Sequence, residues 1–188
     1  QSYLDMTVGV QGSFGVAPVE QGEHVFRYAS GDYVGTRYEV EPDASSASYP
    51  LAAAAIAGGR VVVSGLGRSS LQGDSQFVDV LVRMGCSVER NGDDVVLSRA
   101  KETPLVGVTV DMRDMSDLVP TLAVVAAFAQ TATTITGVGF IRKKESDRIS
   151  DLAHELRALG VSVDERQDGL TVHPSTTHAG SVATHHDH

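Results

Sequence analysis

Apolar side chains recur at helical spacing in two places, Phe77, Val80, Leu81 and Met84, and then Ile149, Leu152, Ala153, Leu156 and Leu159. Three- and four-residue steps put each set on one face of a helix. Both stripes stop at a glycine, Gly85 or Gly160, the residue that most easily takes the left-handed conformation after a helix C-terminus. Ahead of each stripe stands an Ala-rich apolar stretch, SASYPLAAAAIAGG or SDLVPTLAVVAAFAQ, predicted as a helix. A β-branched run follows it, Val61–Val63 or Thr133–Ile135, ending in Gly-x-Gly at Gly65/Gly67 and Gly137/Gly139. Behind each stripe, CSVER-NGDD-VVLS and VSVDER-QDG-LTVH predict two short strands joined by a polar turn.

The segments from Gly65 to Leu97 and from Gly137 to Val172 therefore follow one plan. The stretch SFGVAPVEQGEHVFRYA matches only the last third of that plan, with Phe14-Gly15 in the place of Met84-Gly85. The chain is thus expected to begin inside a unit and, opening on Gln1 and closing on His188, to lack residues at both ends. The fold class expected is α/β, built of repeated βαβαββ units, two complete and part of a third. The pattern leaves open whether helices lie inside and sheets outside, or the reverse. YEVEPDAS, with Pro42 after an acidic residue, is the expected domain boundary.

Composition narrows the partners. The 188 residues carry a formal charge of −9, which opposes a general nucleic-acid surface because a phosphate backbone is neutralised by Lys and Arg. Any anionic ligand must then meet a local basic cluster. The single cysteine, Cys86, excludes an internal disulfide and fits a reducing compartment. In the setting Met84-Gly85-Cys86-Ser87-Val88 it reads as a small buried hydrophobe, the nucleophile reading standing beside that. No apolar run approaches the ~20 residues of a membrane helix, and no signal pattern opens the chain. The expectation is a soluble, cytoplasmic protein.

Four of the fifteen Lys and Arg residues fall in FIRKKESDRIS: Arg142, Lys143, Lys144 and Arg148. At the start of a predicted helix they suit a bound phosphate or carboxylate. The alternative is a solvated loop in which Glu145 and Asp147 pair locally with them. The other repeat carries RSSLQGDSQF here, three residues shorter and far less basic, which favours an acquired site.

In DMRDMSDLVPT, Asp111, Asp114 and Asp117 lie between a predicted strand and a predicted helix, as caps or as acid–base groups. Asp43, Ser45, Ser46 and Ser48 of EPDASSASY read as caps, with ligand contact as the other reading. His185, His186 and His188 of ATHHDH have loose metal-ligand spacing but read as a frayed terminus, and no metal is expected. His24, His154, His173 and His178 stand singly.

EPDASSASYPLAAAAI, GLGRSSLQGD, DMRDMSD and KESDRI, in this order and over essentially the whole chain, resemble the 5-enolpyruvylshikimate-3-phosphate synthase (3-phosphoshikimate 1-carboxyvinyltransferase) family. The resemblance implies an enolpyruvyl transferase of two globules, each of three βαβαββ units around a cleft. Residues 1–42 would then be a remnant of the first globule and 43–188 most of the second. It implies transfer of the enolpyruvyl group of phosphoenolpyruvate to the 5-hydroxyl of shikimate 3-phosphate, in aromatic amino acid biosynthesis, with no cofactor. Matched motif by motif, Asp117 would hold the shikimate ring hydroxyls and accept a proton from the attacking one. Glu145 would exchange a proton at the methylene carbon, Lys144 would lie beside both substrates, and Arg148 would bind phosphoenolpyruvate as a planar fork. Tyr3 would contact shikimate 3-phosphate. Phe140 departs from the family, which often has asparagine there, and basic residues of the first globule are absent. The remainder of the enzyme would be the needed partner. The alternatives are a non-catalytic fragment and a relative of UDP-N-acetylglucosamine enolpyruvyl transferase.

Overall fold

The computed structural model describes residues 2–22, 25–67 and 70–187. Gln1, His24 and His188 lie outside the described residues, as do Arg68 and Ser69 of the GLGRSSLQGD stretch. Helix α1 (Ser2–Ser13) is followed by Gly15 at φ +84° and by two short antiparallel strands, β1 (Glu20–Gln21) and β2 (Phe26–Arg27). This is the helix-then-hairpin third expected of SFGVAPVEQGEHVFRYA. Among the described residues the buried core begins only at Ala44.

The first repeat runs α2 (Ala44–Ala57), β3 (Gly59–Val63), α3 (Phe77–Arg83), β4 (Ser87–Asn91) and β5 (Asp94–Arg99), with the antiparallel sheet order β3-β5-β4. The second runs β6 (Thr109–Asp111), α4 (Val119–Ala126), β7 (Thr133–Thr136), α5 (Ser150–Ala158), β8 (Val163–Arg166) and β9 (Gly169–Val172), in the order β6-β7-β9-β8. Among the described residues only β6 and β7 are parallel, as a strand–helix–strand crossover requires. The second repeat shows all six elements of a βαβαββ unit and the first shows the last five. Ahead of α2, residues 28–43 carry no helix or strand. Pro42 has no N–H to give to a ladder, and Glu41 is taken up by the loop ahead of α3: its carboxylate accepts from the Ser70 hydroxyl at 2.6 Å, the Leu71 amide at 3.0 Å and the Gln72 side chain at 2.9 Å.

Helices are inside. Val119, Leu122, Ala123, Val125 and Ala126 of α4 are fully buried, and α4 packs on α2, which also covers β3 and β5. Ser48 is fully buried with its hydroxyl 3.3 Å from Thr121, so it joins the two inner helices instead of capping one. Pro120 sits in the first turn of α4, where a missing N–H costs nothing. On β3 the outward Val62 is exposed while Val61 and Val63 pack on the core, the alternation of a sheet with one wet face. Gly85 and Gly160 end α3 and α5 at φ +109° and +86°, as the left-handed ends require. Arg99, itself buried, donates to the carbonyls of Ala55 (2.5 Å) and Ile56 (3.0 Å), which fixes the C-terminal end of α2 to β5. Cys86 is buried just ahead of β4, and burial pushes its thiol up, as expected of a packing residue. Among the described residues no helix is long and apolar enough to cross a membrane.

Candidate functional site

Three segments distant in sequence meet at one carboxylate. Asp117 lies in a 3-10 turn, Ser116–Leu118, that leads into α4. Its Oδ2 accepts from the Tyr3 hydroxyl on α1 at 2.9 Å. Its Oδ1 accepts from Arg148 Nη1 at 2.9 Å and from the Lys144 ammonium, which also reaches the Ser116 hydroxyl at 3.4 Å. Lys144, Glu145 and Arg148 belong to the segment between a second 3-10 turn, Gly139–Lys143, and α5. Arg148 touches Glu145 as well, Nη2 to Oε2 at 2.9 Å, so one guanidinium joins Asp117 and Glu145. All five residues singled out from sequence, Tyr3, Asp117, Lys144, Glu145 and Arg148, are therefore in one cluster.

The second 3-10 turn is held from below. Asp168, at the tip of the β8–β9 hairpin, accepts from the amides of Gly137 and Gly139, both at 3.0 Å. Gly137 has φ +78°, a left-handed conformation that a side chain would strain. Arg142 clamps the same hairpin: it donates to both Asp147 oxygens at 3.0 Å, to Glu165 at 2.9 Å and to the Arg166 carbonyl at 2.6 Å. Asp147 accepts from the amides of Ile149 and Ser150 and so starts α5. The basic cluster seen in sequence thus divides. Arg142 is a brace, Lys143 is exposed, and Lys144 and Arg148 face Asp117. Local pairing, one of the two alternatives set out above, is present: Arg142 meets Asp147 and Arg148 meets Glu145.

Electrostatics at Asp117 are a contest. Partial burial raises its carboxyl, but hydrogen bonds from Lys144 and Tyr3 and the charges of Lys144 and Arg148 outweigh burial and hold it below the usual aspartate range. At neutral pH it is an ionised acceptor. Burial, and then Asp117 as partner and as charge, push the Tyr3 phenol well above its ordinary value, so it stays a donor. Arg148 is raised, first by its bond to Asp187 and against the cost of burial.

Asp117 also borders an open cleft of about 200 Å³ lined by Tyr3, Met6, Asp43, Ser45, Gln72, Gly73, Asp74 and Asp114. Asp43 accepts from the Ser45 amide at 2.9 Å and the Ser46 hydroxyl at 2.5 Å, the capping role expected of it. The Ser45 hydroxyl instead meets Asp74, whose carboxyl is raised by burial in spite of that bond. Asp111 accepts from the amide and side chain of Arg113 at the surface.

Two residues escaped the reading of the sequence. Asp74 stood inside GLGRSSLQGD, and only the meeting of α2 with the first-repeat loop brings it beside Asp117. Asp187 lay in a stretch read as frayed. That reading is corrected here: Asp187 accepts from Arg148 Nε and Nη2, both at 2.7 Å, and His185 bonds Glu155 at 2.7 Å. Charge complementarity with α5 holds the tail. Among the described residues no three His, Cys, Asp or Glu side chains are arranged to hold a metal ion.

A family model for EPSP synthase (3-phosphoshikimate 1-carboxyvinyltransferase) matches residues 1–188. The chain is 47% identical over 188 residues to the 3-phosphoshikimate 1-carboxyvinyltransferase of Methanosphaerula palustris, all of this chain against 44% of that protein. Its fold is similar to the EPSP synthase of Acinetobacter baumannii, with TM-score 0.72 and 27% identity over 95% of this chain and 44% of that one. It is also similar to the enolpyruvyl transferase NikO of Streptomyces tendae, with TM-score 0.58 and 26% identity over 74% of this chain and 32% of that one.

Proposed function

Because the chain belongs to the EPSP synthase family, we propose that it forms one wall of a site that transfers the enolpyruvyl group of phosphoenolpyruvate to the 5-hydroxyl of shikimate 3-phosphate. The single observation that supports this best is the convergence of Tyr3, Lys144 and Arg148 on Asp117. A chain that spans about 44% of its relatives' length supplies part of a cleft, and the rest of the enzyme supplies the opposite wall. Residues 1–42 belong to the first globule in this reading and 43–188 to the second.

The chemistry asks for three proton movements. The 5-hydroxyl oxygen bonds to the phosphate-bearing carbon of phosphoenolpyruvate while the methylene carbon gains a proton. The carbon–oxygen bond to phosphate then breaks, phosphate leaves with the electron pair, and the methyl group returns a proton to restore the double bond. Asp117, ionised and within reach of a hydroxyl donor, accepts the proton of the attacking oxygen. Glu145 serves the methylene carbon. Lys144 and Arg148 meet the anionic groups, Arg148 as a fork, and Tyr3 contacts shikimate 3-phosphate. Transition-state charge is stabilised by groups already placed by the loop. The same reading assigns the enzyme to the cytoplasm and to aromatic amino acid biosynthesis.

Phosphate release with both substrates tests the proposal. The complete enzyme is expected to release phosphate and the 188 residues alone to release little. Release by the isolated chain at the rate of the complete enzyme would refute the divided cleft, and no release from the complete enzyme would refute the activity.

A further inference from the structure

We infer that the fully buried Ser116 is a positioning residue of this site: its hydroxyl, with the Asp117 carboxylate next to it in the chain, aims the Lys144 ammonium. The inference rests on the reading that Lys144 lies beside the substrates. Ser116 is 0% exposed, and Met115, Leu118 and Val119 around it in sequence are buried and apolar. A hydroxyl withdrawn from water among such neighbours costs free energy unless it is hydrogen-bonded, and alanine would fill the place without that cost. Among the described residues the side chain that hydrogen-bonds this hydroxyl is Lys144, Nζ to Oγ at 3.4 Å.

Lysine needs such a partner more than arginine does. The Arg148 guanidinium is a planar fork whose donors keep fixed directions, whereas an ammonium is a compact charge with three donors on a flexible four-carbon stem. A single acceptor leaves that ammonium free to turn about one bond. Lys144 has two acceptors, Asp117 Oδ1 and Ser116 Oγ, and tetrahedral geometry then sets the direction of its third N–H. Both acceptors stand on one 3-10 turn, Ser116–Leu118, closed by the Leu118 amide on the Met115 carbonyl at 3.1 Å and by the Val119 amide on the Ser116 carbonyl. The turn runs straight into α4, so the ammonium is aimed by the buried inner layer. Tyr3 is drawn in too: its phenol donates to Asp117 Oδ2, and Ser116 acts on it as a hydrogen-bonding neighbour, lowering it against the burial and charge that raise it. Groups placed before the ligand arrives need no rearrangement in the transition state, where they count most.

The test is steady-state kinetics of the complete enzyme, with phosphoenolpyruvate varied and shikimate 3-phosphate saturating. Ser116→Ala removes the hydroxyl. It is expected to lower kcat roughly three- to thirtyfold while KM for phosphoenolpyruvate changes less than about twofold, the split that follows when an interaction made in the transition state is lost. Unchanged kcat, or a loss carried by KM alone, with Lys144→Met still lowering kcat, overturns the inference and leaves Ser116 a packing residue. Unchanged kcat in Lys144→Met overturns instead the placing of Lys144 at the substrates. If Ser116→Ala fails to fold, Ser116→Cys decides: it keeps the shape but offers only a weak sulfur donor and acceptor. The same loss of kcat is expected of it, and a full kcat overturns the inference.

Discussion

The loop between β3 and α3 and the loop between β7 and α5 occupy the same step of the same repeat, yet opposite chemistry holds them. The first is fastened by hydroxyl, amide and carboxamide donors gathered on Glu41. The second is an ionic network in which Arg142, Lys144 and Arg148 meet Asp117, Glu145, Asp147, Glu165 and Asp187. The scaffold beneath is shared. In both repeats the second glycine of Gly-x-Gly rests on the hairpin tip of its own unit, Gly67 on Gly92 and Asp93, and Gly139 on Gln167 and Asp168. The repeat thus fixes where the loop stands, and the charges written into the longer loop decide what it can do.

The sharpest way to break this comparison is to remove the charges that differ. In the complete enzyme Asp117→Asn and Glu145→Gln keep shape and lose the proton acceptor, and each is expected to lower kcat at least about a hundredfold. Asp147→Asn is the control, since that carboxylate starts α5 and braces Arg142. It is expected to cost about 1 kcal/mol of stability and to spare kcat. Steady-state kinetics decide it: if the three variants behave alike, the second loop is no more a catalytic device than the first.

What the two repeats share is tested by stability. Leu51 on α2 and Leu122 on α4 are both buried in the inner layer, so truncation of either to alanine is expected to cost about 2 to 5 kcal/mol. Val124, exposed on α4, is expected to tolerate alanine within about 0.5 kcal/mol. Urea unfolding of the chain measures all three. A large cost at one leucine and none at the other would mean that the repeats do not share a core.

The elements were legible in sequence because period and punctuation agree: the stripes of α3 and α5, their glycine stops and both strand pairs fall where the spacing put them. The side-chain directions were not. Arg142 and Lys144 are two residues apart in one basic run, but the first turns to the β8–β9 hairpin and the second to α4, which only tertiary packing settles. Asp187 was hidden for another reason. A tail without periodicity gives no sign that a lone aspartate will meet a half-buried arginine 39 residues earlier.

Arg142 separates bracing from binding in the second loop. Arg142→Ala removes a partly buried ion pair with Asp147, an exposed one with Glu165 and two exposed carbonyl bonds, and about 1 kcal/mol of stability is expected to go with them. Lys143→Ala, beside it and exposed, is expected to be silent. Equal effects in urea unfolding would contradict the division of the basic run.

The smallest effect expected is a titration, and it probes the contact of the segment past β9 with α5. His185 Nε2 lies 2.7 Å from Glu155 and Nδ1 3.5 Å from Asp151, and the Ala183 amide donates to Glu155 at 3.0 Å. The bond to Glu155 raises the imidazole above its ordinary 6.5, with desolvation opposing, and the same bond lowers Glu155 below 4.5. A raised folded-state value means that the folded chain binds the proton more tightly than the unfolded one. The resulting stabilisation is fully present below about pH 6.5 and is lost as pH rises through the higher folded value. It persists on the acid side until Glu155 is protonated below its own ordinary value. Both groups are near solvent, so salt screens the contact and the change in overall stability is small. The informative readout is therefore local: the NMR titration midpoint of His185 is expected above 6.5, and Glu155→Gln is expected to bring it down. A midpoint at or below 6.5 that Glu155→Gln leaves in place would mean that the tail is not held on α5 by this pair.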